Sequence, residues 1–500
     1  MMSWARRMGG VGRGEADSGM GWNAGKDKVT GKDGSGGRRR AGWLGPKSIL
    51  LGFVATLLAG GPAAFSLPSL ADHDLAASAE TIEFPVSRHT LSNGMTVLIS
   101  PDRSLPIACL CLYFKVGSRN ELPGMTGISH LVEHLRFSSG SQNFPPGEFD
   151  RIIEAAGGYS NGGTTKDYTL YWEEFVSSAL EEVIRLEADR MRALKIEPSN
   201  FSREVQVVRE ERLLRTENDI FGTMHEQLFA HAYVAHPYRW PVIGWMKDLQ
   251  AITIDQVKSY LASYYAPNNT VAILVGDLEE AEALSLMERY FGSIPAQPPP
   301  PPVIDSEPPQ RGERRVWVKK EAELPALLVG YRTPGARDDD LYPLMLLENI
   351  LSSGESSRIY RDLIYERQIA SSAWAGLYDG MDSGLFLFYL QMRPGQELEE
   401  GERALEEILR QLREKGVAEE EVEKARRMAQ VHLVRMLQGN SHRARSLGYY
   451  EVVMGDYGQL FSVLDRLEKV QAEDIQRVAQ KYLDPDLRTT VILVPVREGR

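Results

Sequence analysis

Cysteine and histidine are the scarce reactive side chains here, with two cysteines and nine histidines in 500 residues. Two cysteines cannot build a disulfide framework, so the fold must rest on its hydrophobic core. Cys109 and Cys111 alternate along Ile107–Leu112. An extended i, i+2 pair does not meet disulfide geometry, and both read as small buried thiols. Positive charge is also short: 57 Lys and Arg stand against 69 Asp and Glu, for a net charge of −12. Residues 1–47 hold ten basic and four acidic side chains, a net of +6, which leaves −18 for the rest. An acidic body lacks the electrostatic footprint of a nucleic-acid binder. The apolar run Ile49–Ala59 is short for a spanning helix and suits the core of a signal peptide, with Ser69-Leu70-Ala71 as a cleavage site. The alternative is an uncleaved membrane anchor over residues 48–66. The length exceeds one core, and about two to four domains are expected.

Two of the few histidines fall together in His130-Leu131-Val132-Glu133-His134. On a helix, residues four apart project from one face, one turn above the other. Two neutral imidazoles so placed can share one Zn²⁺. Glu133 points to the same side. It is too near both histidines in sequence to be an easy third ligand, and it is well placed to take a proton from a water at the metal. Leu131, Val132 and Leu135 give the helix an apolar side to bury. A third ligand must come from elsewhere. The helix predicted over 201–216 offers Glu204 and Glu211, seven residues apart and on one face, with Glu210 about 100° away.

Along the chain, Asn93-Gly94 between Arg88–Leu91 and Met95–Ile99 predicts a β-hairpin. Strands are expected over 107–116 and 168–172, and a helix over 176–193. A helix–Pro–strand unit at 254–275 recurs at 475–494, an offset of about 220. Leu346–Gly354 resembles the motif helix with its Ser138-Ser139-Gly140 ending, but neither histidine has a counterpart there. Between these copies lie Pro295 and the run Pro298–Pro302, an extended linker. The sequence therefore divides into a disordered basic leader with a signal peptide or anchor (1–71), a metal-bearing half (82–294), a Pro-rich linker (295–312) and a homologous half without the metal site (313–500). The fold class is α+β, each half an antiparallel sheet with helices packed on one side.

From about residue 82 to 496 the chain resembles the pitrilysin/insulinase family of inverted zinc peptidases, whose signature is His-x-x-Glu-His. The stretches that carry the resemblance are Gly127–Phe137, Pro145–Asp150, Gly157–Thr169, Glu204–Glu211, His236–Gly244 and Tyr265–Asp277. The resemblance implies zinc, one ion per chain, held by His130, His134 and Glu211. Glu133 would be the general base acting on a zinc-activated water. Glu204 would support the site from behind a ligand imidazole, and Asn161 would lie near an edge strand that receives the peptide. The implied function is a zinc metalloendopeptidase acting on extended peptide substrates. The alternatives are a non-catalytic assembly or chaperone-like subunit and a presequence-processing peptidase. A homodimer, or a heterodimer with a metal-free homologous chain, is expected by the same analogy. With the leader, the expected location is the periplasm, or the membrane if the anchor is retained. Larger family members carry an Arg and a Tyr in the second half that help hold substrate. The matching positions here are Ile364 and Ser371, which puts clamping by that half in doubt. Arg358 and Tyr360 lie nearby.

Overall fold

The computed structural model of the protein describes residues 82–303 and 306–496. The leader expected over residues 1–71 lies outside them.

The first half builds a six-stranded sheet from β1 (Ser87–Thr90), β2 (Thr96–Pro101), β3 (Ile107–Phe114), β4 (Tyr159–Thr164), β5 (Thr169–Val176) and β6 (Thr270–Gly276). The strand order is β1-β2-β6-β3-β5-β4. The second half builds a five-stranded sheet from β7 (Arg314–Glu321), β8 (Ala326–Pro334), β9 (Ala370–Tyr378), β10 (Ser383–Met392) and β11 (Arg488–Val496), in the order β7-β11-β8-β10-β9. Each sheet is antiparallel apart from one parallel pair, β2 with β6 and β7 with β11. The β1–β2 hairpin turns at Asn93-Gly94, with Gly94 N–H donating to Leu91 O at 2.9 Å. Between the sheets, residues 292–303 and 306–313 form neither helix nor strand.

The first half's helices are α1 (Ile128–Ser138), α2 (Glu148–Ala155), α3 (Leu180–Ala193), α4 (Pro198–Arg212), α5 (Ile220–Ala232), α6 (Met246–Ala251), α7 (Ile254–Tyr264) and α8 (Glu280–Phe291). The second half's are α9 (Leu341–Ser352), α10 (Leu398–Lys415), α11 (Glu419–Met436), α12 (Asn440–Tyr449), α13 (Val463–Glu468) and α14 (Ala472–Tyr482). Helices α1, α3, α7 and α8 cover one face of the first sheet, where Leu110, Leu112, Leu131, Leu135 and Val183 join in a single core.

The other face is not left to water. Strands β3 and β6 are apolar along nearly their whole length and buried at every residue but Ile107, which is the mark of a sheet covered on both sides. The cover is α12, lent by the second half. Its Ala444 and Leu447 share a core with Cys109, Cys111, Tyr113 and Ile273. The Tyr113 hydroxyl donates to Arg445 O at 2.8 Å. The exchange is mutual: α5, from the first half, packs on β8 and β11 of the second sheet. Each half thus keeps its own helices on one side and receives one from the other half on the opposite side. Both thiols are free and buried.

Candidate metal centre

Helix α1 begins at Gly127, whose φ of 91° is left-handed. A side chain there would also collide with Ile243 O, 2.6 Å from the Cβ position. Gly244 has φ +81° and would place a Cβ 2.2 Å from Thr126 O. Two glycines therefore let the loop after His236-Pro237-Tyr238 press against the start of the motif helix. No side chain of the N-cap glycine can satisfy the first N–H groups of the helix. Glu121 does so instead: its carboxylate accepts from the N–H groups of Gly127 and Ser129, both at 2.9 Å, and from the Ser129 hydroxyl at 2.6 Å. Behind the helix, Arg136 and Arg190 flank Glu187 in a buried ion cluster, with Arg136 to Glu187 at 2.7 Å. The Arg136 guanidinium lies 4.5 Å from the Tyr171 ring centre. Because Arg136 is also wrapped by aromatic rings, the back of α1 is packed as well as paired.

The exposed side of α1 faces α4. Three side chains converge in that seam. Glu211 Oε2 lies 3.3 Å from His134 Nε2 and 3.8 Å from His130 Nε2. The ligand atoms of His130, His134 and Glu211 all lie within 4.8 Å of one another. A tetrahedral zinc with bonds of about 2.1 Å separates its ligand atoms by about 3.4 Å. Two imidazoles and one carboxylate at these separations fit that ion, with a fourth position left for water. His130 Nδ1 is buried with no hydrogen-bond partner, and Nε2 is the ring nitrogen that faces Glu211, at 3.8 Å. Among the described residues this is the one His/Cys/Asp/Glu cluster with metal-binding spacing.

The charges suit a dication. Burial works against ionising Glu211, but the hydrogen bond from His134, the neighbouring His130 ring and the Arg215 charge outweigh it, holding the carboxyl at about 2. Burial also opposes ionisation of Glu204, and the hydrogen bonds from His134 and Arg203 reverse the balance to bring it below the usual range. Burial, reinforced by the neighbouring His134, brings His130 down to about 4, so its ring is neutral and able to donate a lone pair. For His134 burial is outweighed by hydrogen bonds to Glu204 and Glu211, which lift it to about 9, so without an ion this ring carries a proton that a bound metal would displace. Its two nitrogens have different neighbours: Nε2 faces Glu211, and Nδ1 lies 3.5 Å from Glu204 Oε2. Glu210 is on the exposed side of α4.

Glu133 is raised by burial, partly offset by a hydrogen bond from the Thr164 hydroxyl to its Oε2 at 2.6 Å. Thr164 ends β4, the outermost strand of the first sheet, which pairs only with β5 among the described residues. Asn161 is exposed on that strand, opposite Trp172. The sequence reading did not single out Thr164 or Glu121 for a role. Nothing local marks Glu121, which reaches α1 across a loop. Arg136 did carry a signal: two residues past His134, it sits on the far, apolar side of the helix, where a charge must find a partner. In the second half, Arg358 is tied to Glu421 at 2.6 Å, and the Ser371 hydroxyl to Gln391 O at 3.1 Å.

Residues 96–244 match the family described as Insulinase (Peptidase family M16), and residues 251–429 match the Peptidase M16 inactive domain. The chain is 31% identical over 410 residues to zinc protease PqqE of Helicobacter pylori, covering 81% of this chain and 92% of that protein. The crystal structure of a protease from Helicobacter pylori superposes with a TM-score of 0.80 at 30% identity, over 83% of this chain and 100% of that one. The periplasmic protease PqqL from Escherichia coli shares the fold at 18% identity with a TM-score of 0.70, and this chain spans 48% of it.

Proposed function

The chain belongs to the insulinase family, peptidase family M16, and on that footing we propose that it is a zinc-dependent endopeptidase of extended peptides. The observation that carries the reading is the meeting of His130, His134 and Glu211 across the α1–α4 seam, with Glu133 beside them. Held by those three side chains, zinc would lower the pKa of a water and polarise the scissile carbonyl. The chain's own residues do the rest. Glu133, raised by burial, takes a proton from the attacking water and delivers it to the leaving amine. Glu204 fixes the His134 ring through Nδ1. The free edge of β4 accepts substrate backbone as an added strand, with Asn161 along it and Thr164 at its end beside Glu133.

The match to an inactive domain does not favour a non-catalytic subunit, because it begins at residue 251 and the site lies entirely before it. No helix of the described residues is long and apolar enough to cross a membrane. The leader read from the sequence supports export to the periplasm. Since the chain spans 48% of PqqL, a second copy or a metal-free homologue would complete a comparable assembly, which sedimentation would reveal.

The test is a peptide-library digest with product mapping, run beside zinc quantification. The wild type should cleave and lose activity to a chelator. Glu133→Gln should keep its zinc and lose about 10²–10⁴-fold in rate. Undiminished, chelator-sensitive turnover by that variant ends the assignment.

A further inference from the structure

Glu133 is oriented by more than its own helix. Thr164, which donates to it, leads into a turn that closes with Thr165 N–H to Tyr168 O at 2.8 Å. Within that turn the Asp167 N–H donates to Thr165 Oγ1 at 3.0 Å. The Asp167 carboxylate is buried and accepts from the Tyr238 hydroxyl and from the backbone N–H of Met381, the latter at 3.2 Å. Met381 belongs to the turn between β9 and β10, in the half without the metal ligands. The next residue, Asp382, accepts from the Arg119 guanidinium and from His236 Nε2, the latter at 3.0 Å. His236 Nδ1 accepts the Tyr238 N–H at 3.1 Å, so Nε2 carries the ring proton and donates it to Asp382.

The same turn reaches the motif helix by a second route. Arg119, held by Asp382, lies two residues before Glu121, the side chain that caps α1. The Arg119 backbone N–H also donates to Lys166 O at 2.9 Å, in the turn that follows Thr164. One short loop of the metal-free half therefore binds Asp167, in the turn that follows Thr164, and Arg119, two residues before the Glu121 cap, and so reaches both supports of the active side chains through one intermediate each.

We propose that the Met381-Asp382 turn is a positioning element for the reaction, through which the metal-free half fixes Thr164 and, through Thr164, the Glu133 carboxylate. Its kinetic consequence rests on the peptidase reading above; its structural consequence does not. A small displacement of a reacting group is enough to cost about 10²-fold in rate, so the loop need not be large to matter. If the turn served only to join the halves, its loss would lower stability without acting specifically through Thr164.

The experiment is a double-mutant cycle on the full chain. Asp382 has a side chain 38% exposed, so Asp382→Ala leaves no core cavity. That variant should keep its zinc, lower kcat about tenfold or more, and move KM less than about threefold. Thr164→Val should behave alike, and Thr164→Ser should recover most of the rate. Asp382→Asn, which keeps one acceptor, should fall between wild type and Asp382→Ala. In the Thr164→Val background Asp382→Ala should slow the reaction much less than it slows the wild type, the small remainder passing through Arg119 and the Glu121 cap. Amide exchange supplies a readout without turnover: in Asp382→Ala the Thr165, Asp167 and Ser129 amides should exchange faster while those of β2 and β6 do not. Multiplicative rate effects, or unchanged exchange at those three amides, would overturn the proposal. If the zinc-loaded wild type cleaves no peptide, the peptidase reading fails, and the exchange result still decides whether the halves are coupled here.

Discussion

Helices α1 and α4 of the first half and α9 and α11 of the second form equivalent pairs, and they differ in what lines the seam. Setting Ser138-Ser139-Gly140 against Ser352-Ser353-Gly354 places His130 opposite Leu344, Glu133 opposite Leu347 and His134 opposite Glu348. Leu344 and Leu347 are buried, and every buried residue of α9 is aliphatic or aromatic. The second seam is apolar at the positions of His130 and Glu133, and of the three aligned positions only the half-buried Glu348 keeps a polar group. The first holds two imidazoles and two carboxylates where leucines would serve packing better. It is kept in place by a glutamate cap at one end and by the Arg136–Glu187–Arg190 cluster behind it. The scaffold evidently needs no metal to close this seam, so the polar residues of the first half answer to chemistry.

The largest expected effect separates the two seams outright. His134→Ala should abolish stoichiometric zinc and reduce peptide cleavage to background, as a chelator would. Leu344→Ala should instead open a cavity worth about 2–5 kcal/mol of stability while zinc content and kcat stay near wild type. Loss of zinc in Leu344→Ala would break the distinction. The next effect probes the support behind α1. The double variant Glu173→Gln/Glu187→Gln removes both buried carboxyls beside Arg136 and Arg190 and leaves the two guanidiniums without a countercharge, which should cost about 3–5 kcal/mol in denaturant titration. A smaller loss would mean that the aromatic rings around Arg136 hold the helix by themselves. Third, Glu204→Gln should weaken zinc affinity about 10–100-fold, because His134 loses the carboxylate at its Nδ1. Competition with a calibrated chelator measures this, and an unchanged affinity would place Glu204 outside the metal's support.

These variants also mark how far the sequence could be read. The motif helix, the shared face of Glu204 and Glu211 and the repeated helix–Pro–strand unit are local patterns, set by helical and strand periodicity, and all were legible. The Asn93-Gly94 hairpin was legible for the same reason. The roles of Thr164 and Glu121 were not, because each touches the site through a contact whose register only the folded sheet and loop define. The exchange of α5 and α12 escaped as well. Its trace is the unbroken apolar run of β3 and β6, which says that both faces are covered but not by what. The repeat offset of about 220 relates α5 at Ile220–Ala232 to α12 at Asn440–Tyr449, so the two exchanged helices are each other's counterparts.

That exchange gives the mildest prediction, and it tests whether the α12 contact, unlike the Met381-Asp382 turn, serves stability alone. Gly448 sits where α12 meets the first sheet, and a Cβ there would lie 2.2 Å from Tyr113 Cε2. Tyr113 cannot swing aside freely, because it is fully buried and its hydroxyl is bound to Arg445 O. Gly448→Ala should therefore push α12 off the sheet by a fraction of its contact distance and cost about 1–3 kcal/mol, as overpacking does. Helix α12 covers the face of the sheet opposite α1, so the zinc seam should be unaffected. The expected result is a lower Tm with unchanged zinc affinity and unchanged kcat. A Gly448→Ala protein of normal Tm but impaired kcat would show that the α12 contact carries information to the seam, a second route beside the Met381-Asp382 turn.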